Sequence, residues 1–279
     1  MSASRIPAKG PSGGLTNLQT RIISAVVLIA IVLPITWHGG LAFRLLCAVI
    51  GAAMFYEWMR MAGVKARDVV LAAGVGLAVV LGLLLAGAPS LYVVIVLAVV
   101  VAAAYVLGRM RGVSAEPAAA LGYSGLSAVS LALLRNDDWQ GLWALLFLFA
   151  VVWATDIFAY FVGRTVGGPK LAPAISPGKT WSGAVGGTVG GIVAGLLIAW
   201  YGGFAGFWTA FICLALSAVG QIGDLFESSI KRRHGAKDSS NLIPGHGGVM
   251  DRVDALVAAA LALYVIGALS GGLDQPAHG

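Results

Sequence analysis

Four carboxylates and a run of cations crowd one stretch of the chain. Asp224 and Glu227 end one apolar run, and Asp251 and Asp254 begin the next. Each pair is three residues apart, which puts both members on one helix face. Carboxylates gathered at one membrane boundary either meet a cation or repel each other. Their oxygen atoms suit Mg²⁺, which binds through few carboxylates plus substrate phosphates. Between the pairs, Lys231, Arg232 and Lys237 can neutralise phosphate. Gly245, Gly247 and Gly248 permit close backbone approach and offer N–H donors just before a helix start, where anions bind. His246 can donate a hydrogen bond to a phosphate. A plain basic loop beside a membrane accounts for the lysines. It does not account for glycines and aspartates falling among them.

A second polar stretch, 164–182, contains Ser176, Pro177, Gly178, Lys179 and Thr180. It is not a P-loop. That motif needs a glycine five residues before Gly178, where the chain has Pro173, and no soluble strand precedes it. Lys179 and Ser176 remain candidate nucleotide contacts. Asp156 lies inside an apolar run, and Tyr160 and Arg164 follow on the same helix face. A charge within a membrane span costs about 2.5–3.5 kcal/mol on insertion scales, so its presence calls for a reason. An intrahelical pair with Arg164 is the plain alternative to substrate binding.

These residues resemble the signature of the phosphatidate cytidylyltransferases, also called CDP-diacylglycerol synthases. Ser228, Ile230, Lys231, Arg232, Lys237, Asp238, Ser240, Ile243, Pro244, His246, Gly247, Gly248, Asp251, Arg252 and Asp254 fill that signature at its spacing. Residues 176–180 look like the family's second shared motif. Many members carry Glu or Gln where this chain has Ser182, so no role is assigned there. The resemblance is specific over residues 153–254. It implies a reaction of CTP with phosphatidate that gives CDP-diacylglycerol and pyrophosphate. Carried onto this chain, it implies catalytic roles for Asp224, Lys231, Arg232, Lys237, Asp238, His246, Asp251 and Arg252. It implies substrate contacts from Asp156, Ser176, Lys179, Thr180, Gly247 and Gly248. Asp224, Asp251 and Asp254 are expected to hold Mg²⁺, and the lipid phosphate oxygen is the expected nucleophile. A homodimer is implied by the family alone.

The elements that must position these groups follow from composition. Hydrophobic residues make up 59% of the 279 and charged residues 11%, with a mean hydropathy of +0.90. Soluble domains carry about 25% charged residues, so the bilayer is this chain's natural solvent. The expected fold is all-α and polytopic, with about nine spans of the ~20 residues a bilayer requires. The spans are placed at 22–38, 41–62, 69–88, 90–108, 118–134, 140–162, 181–202, 205–229 and 250–270. The fifth is the weakest, being short and interrupted by Gly122, Ser124, Gly125 and Ser127. Residues 1–20, rich in Ser, Gly and Pro, read as a disordered cytoplasmic tail. Residues 21–140 form the N-terminal helices, 141–272 the catalytic region, and 273–279 a short tail.

With the N-terminus inside, 16 of the 18 Lys and Arg fall on the cytoplasmic side and only Arg44 and Arg135 outside. The expected location is the cell (inner) membrane, with multiple passes. The net charge of +6 then becomes a one-sided field suited to nucleotides and anionic headgroups. Nucleic acid is not an expected partner, since no basic domain stands clear of the membrane. Gly183, Gly187, Gly191 and Gly195 share a helix face and predict a close helix neighbour. Cys47 and Cys213 lie apart in apolar runs and read as packing residues.

Two other functions fit parts of this pattern. A transporter would place its charges near the midplane. Here Asp224 lies seven residues from Lys231, about 10 Å along a helix and so near the cytoplasmic edge. A CTP-dependent polyprenol kinase would share the nucleotide and a helical fold, without the full signature.

Overall fold

The computed structural model describes residues 17–243 and 247–270. Its helices are α1 (Asn17–His38), α2 (Gly40–Ala62), α3 (Arg67–Leu85), α4 (Ser90–Met110), α5 (Glu116–Arg135), α6 (Trp139–Thr165), α7 (Trp181–Tyr201), α8 (Thr209–Arg233) and α9 (Met250–Leu269). Between α6 and α7 lies a hairpin of β1 (Lys170–Ala172) and β2 (Ser176–Thr180). Among the described residues, eight helices are long and apolar enough to cross a bilayer. The chain is an all-α polytopic membrane protein, as composition predicts. Helix α1 begins at Asn17, so the last four residues of the expected tail are helical. The rest of that tail and residues 273–279 lie outside the described residues.

The fifth span, expected to be the weakest, is the most interior. In α5, 72% of the apolar stretch is buried, against 22% in α4. Its small residues are the reason. Ser124, Gly125 and Ser127 are buried, and α5 packs on α2, α3, α4 and α9. A helix surrounded by helices needs room for neighbours more than it needs bulk hydrophobicity.

The glycine face of α7 meets α6, as its spacing predicts. A Cβ added at Gly187 would lie 2.6 Å from the Thr155 carbonyl, and one at Gly183 would lie 2.7 Å from that of Ala159. Larger residues would push apart α6, which carries Asp156, and α7, into which the 176–180 motif runs.

The hairpin departs from the expected loop. Lys170 pairs with Thr180 and Ala172 with Ser176, antiparallel. The motif 176–180 is therefore itself a strand running directly into α7. Thr180 caps that helix by accepting a hydrogen bond from Gly183 N at 3.1 Å. At the opposite end of the bundle, Arg135 donates to the carbonyls of Thr36, at 2.6 Å, and Trp37, at 3.0 Å. Arg44 pairs with Asp137 at the same end. The two arginines expected outside thus share one end of the molecule.

Candidate active site

A cavity of about 540 Å³ opens between α6, the hairpin, α7 and α8. Asp156, Arg164, Lys179, Thr180, Gln221 and Asp224 line it. Asp156, Tyr160 and Arg164 do share one face, and all three reach the cavity. The intrahelical bond on that face runs from Arg164 to the Tyr160 hydroxyl at 3.1 Å, and Asp156 is exposed toward the cavity. Lys179 reaches across from β2 to pair with Asp224 on α8. Asp224 also accepts from Ser228 at 3.3 Å. The second motif and α8 are thereby joined through a cation and an anion, each about a quarter exposed.

Beneath the cavity a polar ladder ties three helices. Gln221 Nε2 donates to Thr188 Oγ1 at 3.0 Å, Ser217 Oγ to Thr188 Oγ1 at 3.1 Å, and Thr155 Oγ1 to Ser217 Oγ at 3.0 Å. Buried polar groups must find such partners. The ladder ties Gln221, a cavity residue that sequence reasoning overlooked, to α7 through Thr188.

The signature segment builds a second, denser cluster. Lys231 Nζ lies 2.6 Å from Asp251 Oδ1 and 3.0 Å from Glu227 Oε1. Asp251 Oδ2 accepts from Ser239 N, Ser239 Oγ and Gly248 N, each at 2.9 Å. Both oxygens of Asp251 are thus engaged within the chain. Asp254 interacts electrostatically with Glu227 and Lys231 of that cluster. Its Oδ1 accepts from Ala255 N at 2.8 Å, and it lies within electrostatic reach of Asp224 and Asp156. Among the described residues, no three acidic, histidine or cysteine side chains converge into a ready-made metal cage. The expected trio is spread over two cations: Asp251 pairs with Lys231, Asp224 pairs with Lys179, and Asp254 lies within electrostatic reach of Asp224, Asp156 and Lys231.

Several other residues occupy places the sequence did not predict. Arg232, expected on phosphate, donates to the backbone carbonyls of Ala236 at 3.1 Å and Ile175 at 3.3 Å. It bridges the signature to the turn of the hairpin. Gly248, expected to offer its N–H to an anion, donates it to Asp251 instead. Gly247 has φ +85°, a conformation glycine adopts without strain. Lys237, Asp238 and Arg252 are exposed, and Ser176 is half-buried on β2 without lining the cavity. His246 lies outside the described residues. Glu57, which sequence reasoning passed over, accepts four hydrogen bonds from this segment while fully buried. The signal for it was present, since a carboxylate inside an apolar span is costly without a partner.

The cytidylyltransferase family model matches residues 19–270, nearly the whole described chain. The chain belongs to the cytidylyltransferase family. It is 48% identical over 263 residues to a Brucella suis protein named phosphatidate cytidylyltransferase, covering 94% of this chain and 97% of that one. A protein of the same name from Staphylococcus aureus is 31% identical over 248 residues, covering 86% and 95%. One from Haemophilus influenzae is 42% identical over 143 residues, about half of each chain. The matches to the Brucella and Staphylococcus proteins span nearly their whole length, so the similarity of this cytidylyltransferase to them runs through the apolar helices as well as the polar segments.

Proposed function

We propose that this chain is a phosphatidate cytidylyltransferase. A phosphate oxygen of phosphatidate attacks the α-phosphorus of CTP. The new P–O bond forms as the bond to the β,γ-diphosphate breaks, giving CDP-diacylglycerol and pyrophosphate. The observation that carries this reading is the near-full-length similarity to proteins of that name, joined to a charged cavity at one end of an apolar bundle. A lipid phosphate and a soluble nucleotide can meet only at such a boundary.

Transfer of this kind is mostly positioning and charge neutralisation. Lys179, Arg164 and Lys170 supply positive charge around the cavity. Lys231, held by Asp251 and Glu227, is a further cation of the signature, within electrostatic reach of Asp254. The attacking oxygen belongs to the lipid, so no protein nucleophile is required. Mg²⁺ fits the carboxylates around the cavity, because it needs only one or two of them besides substrate phosphates, and at Asp224 it would compete with Lys179. Asp224 and Asp254 are the residues we assign to it, with Asp156 near both. Bound there, Mg²⁺ would neutralise charge on the CTP phosphates. Asp251, assigned to the metal by sequence alone, is better placed to orient Lys231.

The cavity end carries the basic residues predicted to face the cytoplasm, where CTP is available. The membrane we assign is the cell (inner) membrane. Two copies pairing in the bilayer would match the family's expected homodimer, which crosslinking in vesicles tests. The activity itself is tested with purified protein, labelled CTP, phosphatidate and Mg²⁺. A lipid-soluble nucleotide and free pyrophosphate are expected. Turnover of a polyprenol with no turnover of phosphatidate would replace this reading with a kinase.

A further inference from the structure

Glu57 sits in the N-terminal half of the chain, on α2, yet it serves the signature segment. Its Oε1 accepts from Ser240 Oγ at 2.6 Å and Val249 N at 2.8 Å. Its Oε2 accepts from Met250 N at 2.8 Å and Ser239 Oγ at 3.0 Å. The side chain is 0% exposed. A buried carboxylate is tolerated only when well hydrogen-bonded, and four donors meet that need. Val249 and Met250 are the cap and first residue of α9. Their N–H groups have no partner inside the helix, and a negative charge there complements its dipole. The sequence offers no local cap at this position, since Val249 has no side-chain acceptor. Glu57 supplies one from 192 residues away.

The contact continues to the cluster around Lys231. Ser239 Oγ lies 3.0 Å from Glu57 Oε2 and 2.9 Å from Asp251 Oδ2, with one proton between two carboxylates. Gly248 lets the three groups meet, because a Cβ there would fall 2.6 Å from Glu57 Oε1. Asp251 in turn holds Lys231 at 2.6 Å. We propose that Glu57 is a positioning residue for cytidylyl transfer, setting the start of α9 and the Ser239–Ser240 turn so that Asp251 keeps its hold on Lys231. This rests on the reading that Asp251 and Lys231 serve the reaction above.

The test uses the full chain in detergent or vesicles. Glu57→Gln keeps the volume, but one of its two positions becomes an NH₂ that opposes a backbone N–H in either orientation. Turnover per folded molecule, kcat, should fall about tenfold or more. KM for CTP and for phosphatidate should stay within about twofold, since Glu57 bonds to none of the cavity residues. Ser239→Ala reaches the same contact from the loop and should lower kcat as well. In the double variant the two losses should multiply only in part, because the two side chains share one hydrogen bond while Glu57 also holds Ser240, Val249 and Met250. Arg135→Gln, which removes a buried contact at the opposite end, should lower the thermal midpoint and leave kcat per folded molecule unchanged. A parental kcat in Glu57→Gln, or losses that multiply in full with Ser239→Ala, would overturn the proposal while leaving the substrate reading intact. If Glu57→Gln does not accumulate, Ser239→Ala decides alone, and a parental kcat there overturns it. A parent that makes no CDP-diacylglycerol overturns both readings together.

Discussion

Lys179 and Asp224 neutralise each other across the cavity, so removing either leaves the other charge exposed to substrate. Lys179→Ala should lose about 1.5–3 kcal/mol of transition-state stabilisation, the value of a charged hydrogen bond. That is roughly 10- to 150-fold in kcat/KM, and steady-state kinetics on monodisperse protein measures it. Parental kinetics would reduce Lys179 to a residue that only helps set topology. The carboxylates separate more finely. Asp254→Asn disturbs one backbone contact, to Ala255, so it should fold normally and need more Mg²⁺ for half-maximal activity. Asp251→Asn must place an NH₂ against either Lys231 or three donors. It should therefore lower the thermal midpoint as well as activity. Equal Mg²⁺ dependence in Asp254→Asn and the parent would remove Asp254 from the metal proposal. The chemical types at this site were legible in the sequence, because acids, bases and glycines fall together at helix ends. How Asp251 divides from Asp224 and Asp254 was not. Residues three apart share a face, but which of them meets Lys231 depends on the loop that folds over α9. A buried carboxylate at Glu57 was legible as a costly charge in an apolar span, but its partners were not, since they lie more than 180 residues onward.

At the level of elements, the α6–α7 contact sets the distance between Asp156 and Lys179. Gly187→Val would drive a side chain into the Thr155 carbonyl, 2.6 Å from where its Cβ must sit. Overpacking of this kind costs about 1–3 kcal/mol. A lower thermal midpoint is expected, with activity falling further than the folded fraction does, because the cavity walls separate. Activity that simply tracks the folded fraction would show that the walls tolerate the shift. Glycine spacing is enough to predict a close contact on this face, since a four-residue repeat marks one side of a helix whatever packs on it. The hairpin carries no such signal. Its strands have three and five residues, and Pro177 and Gly178 fall in the second. What stabilises it is tertiary: Arg232 holds the carbonyl of Ile175, and Lys179 holds Asp224.

Considered whole, the bundle has a reactive end and a quiet one, and orientation assigns them to compartments. A cysteine at Ala115, beside the reactive end, should resist an impermeant thiol reagent in intact cells. One at Ala205, in the connection between α7 and α8, should react. Cys47 and Cys213 are buried and should stay silent in the parent. The reverse labelling pattern would place the reactive end outside, where CTP is absent. The interior position of α5 bears on how this molecule is made. Its apolar stretch has a mean hydropathy of 1.4, the lowest of the eight, against 2.8 for α4. A segment so modest, with Glu116 and Arg135 at its ends, has little reason to leave a translocation channel for lipid alone. Its partners α2, α3 and α4 are synthesised before it, whereas α9 is synthesised last. Insertion of α5 should therefore depend on the earlier helices waiting beside the channel. A glycosylation reporter fused after Arg135 should show efficient insertion of α5 when α2–α4 precede it, and poor insertion when it is presented alone. The final docking of α9 would then close a core that has been accessible to lipid throughout synthesis.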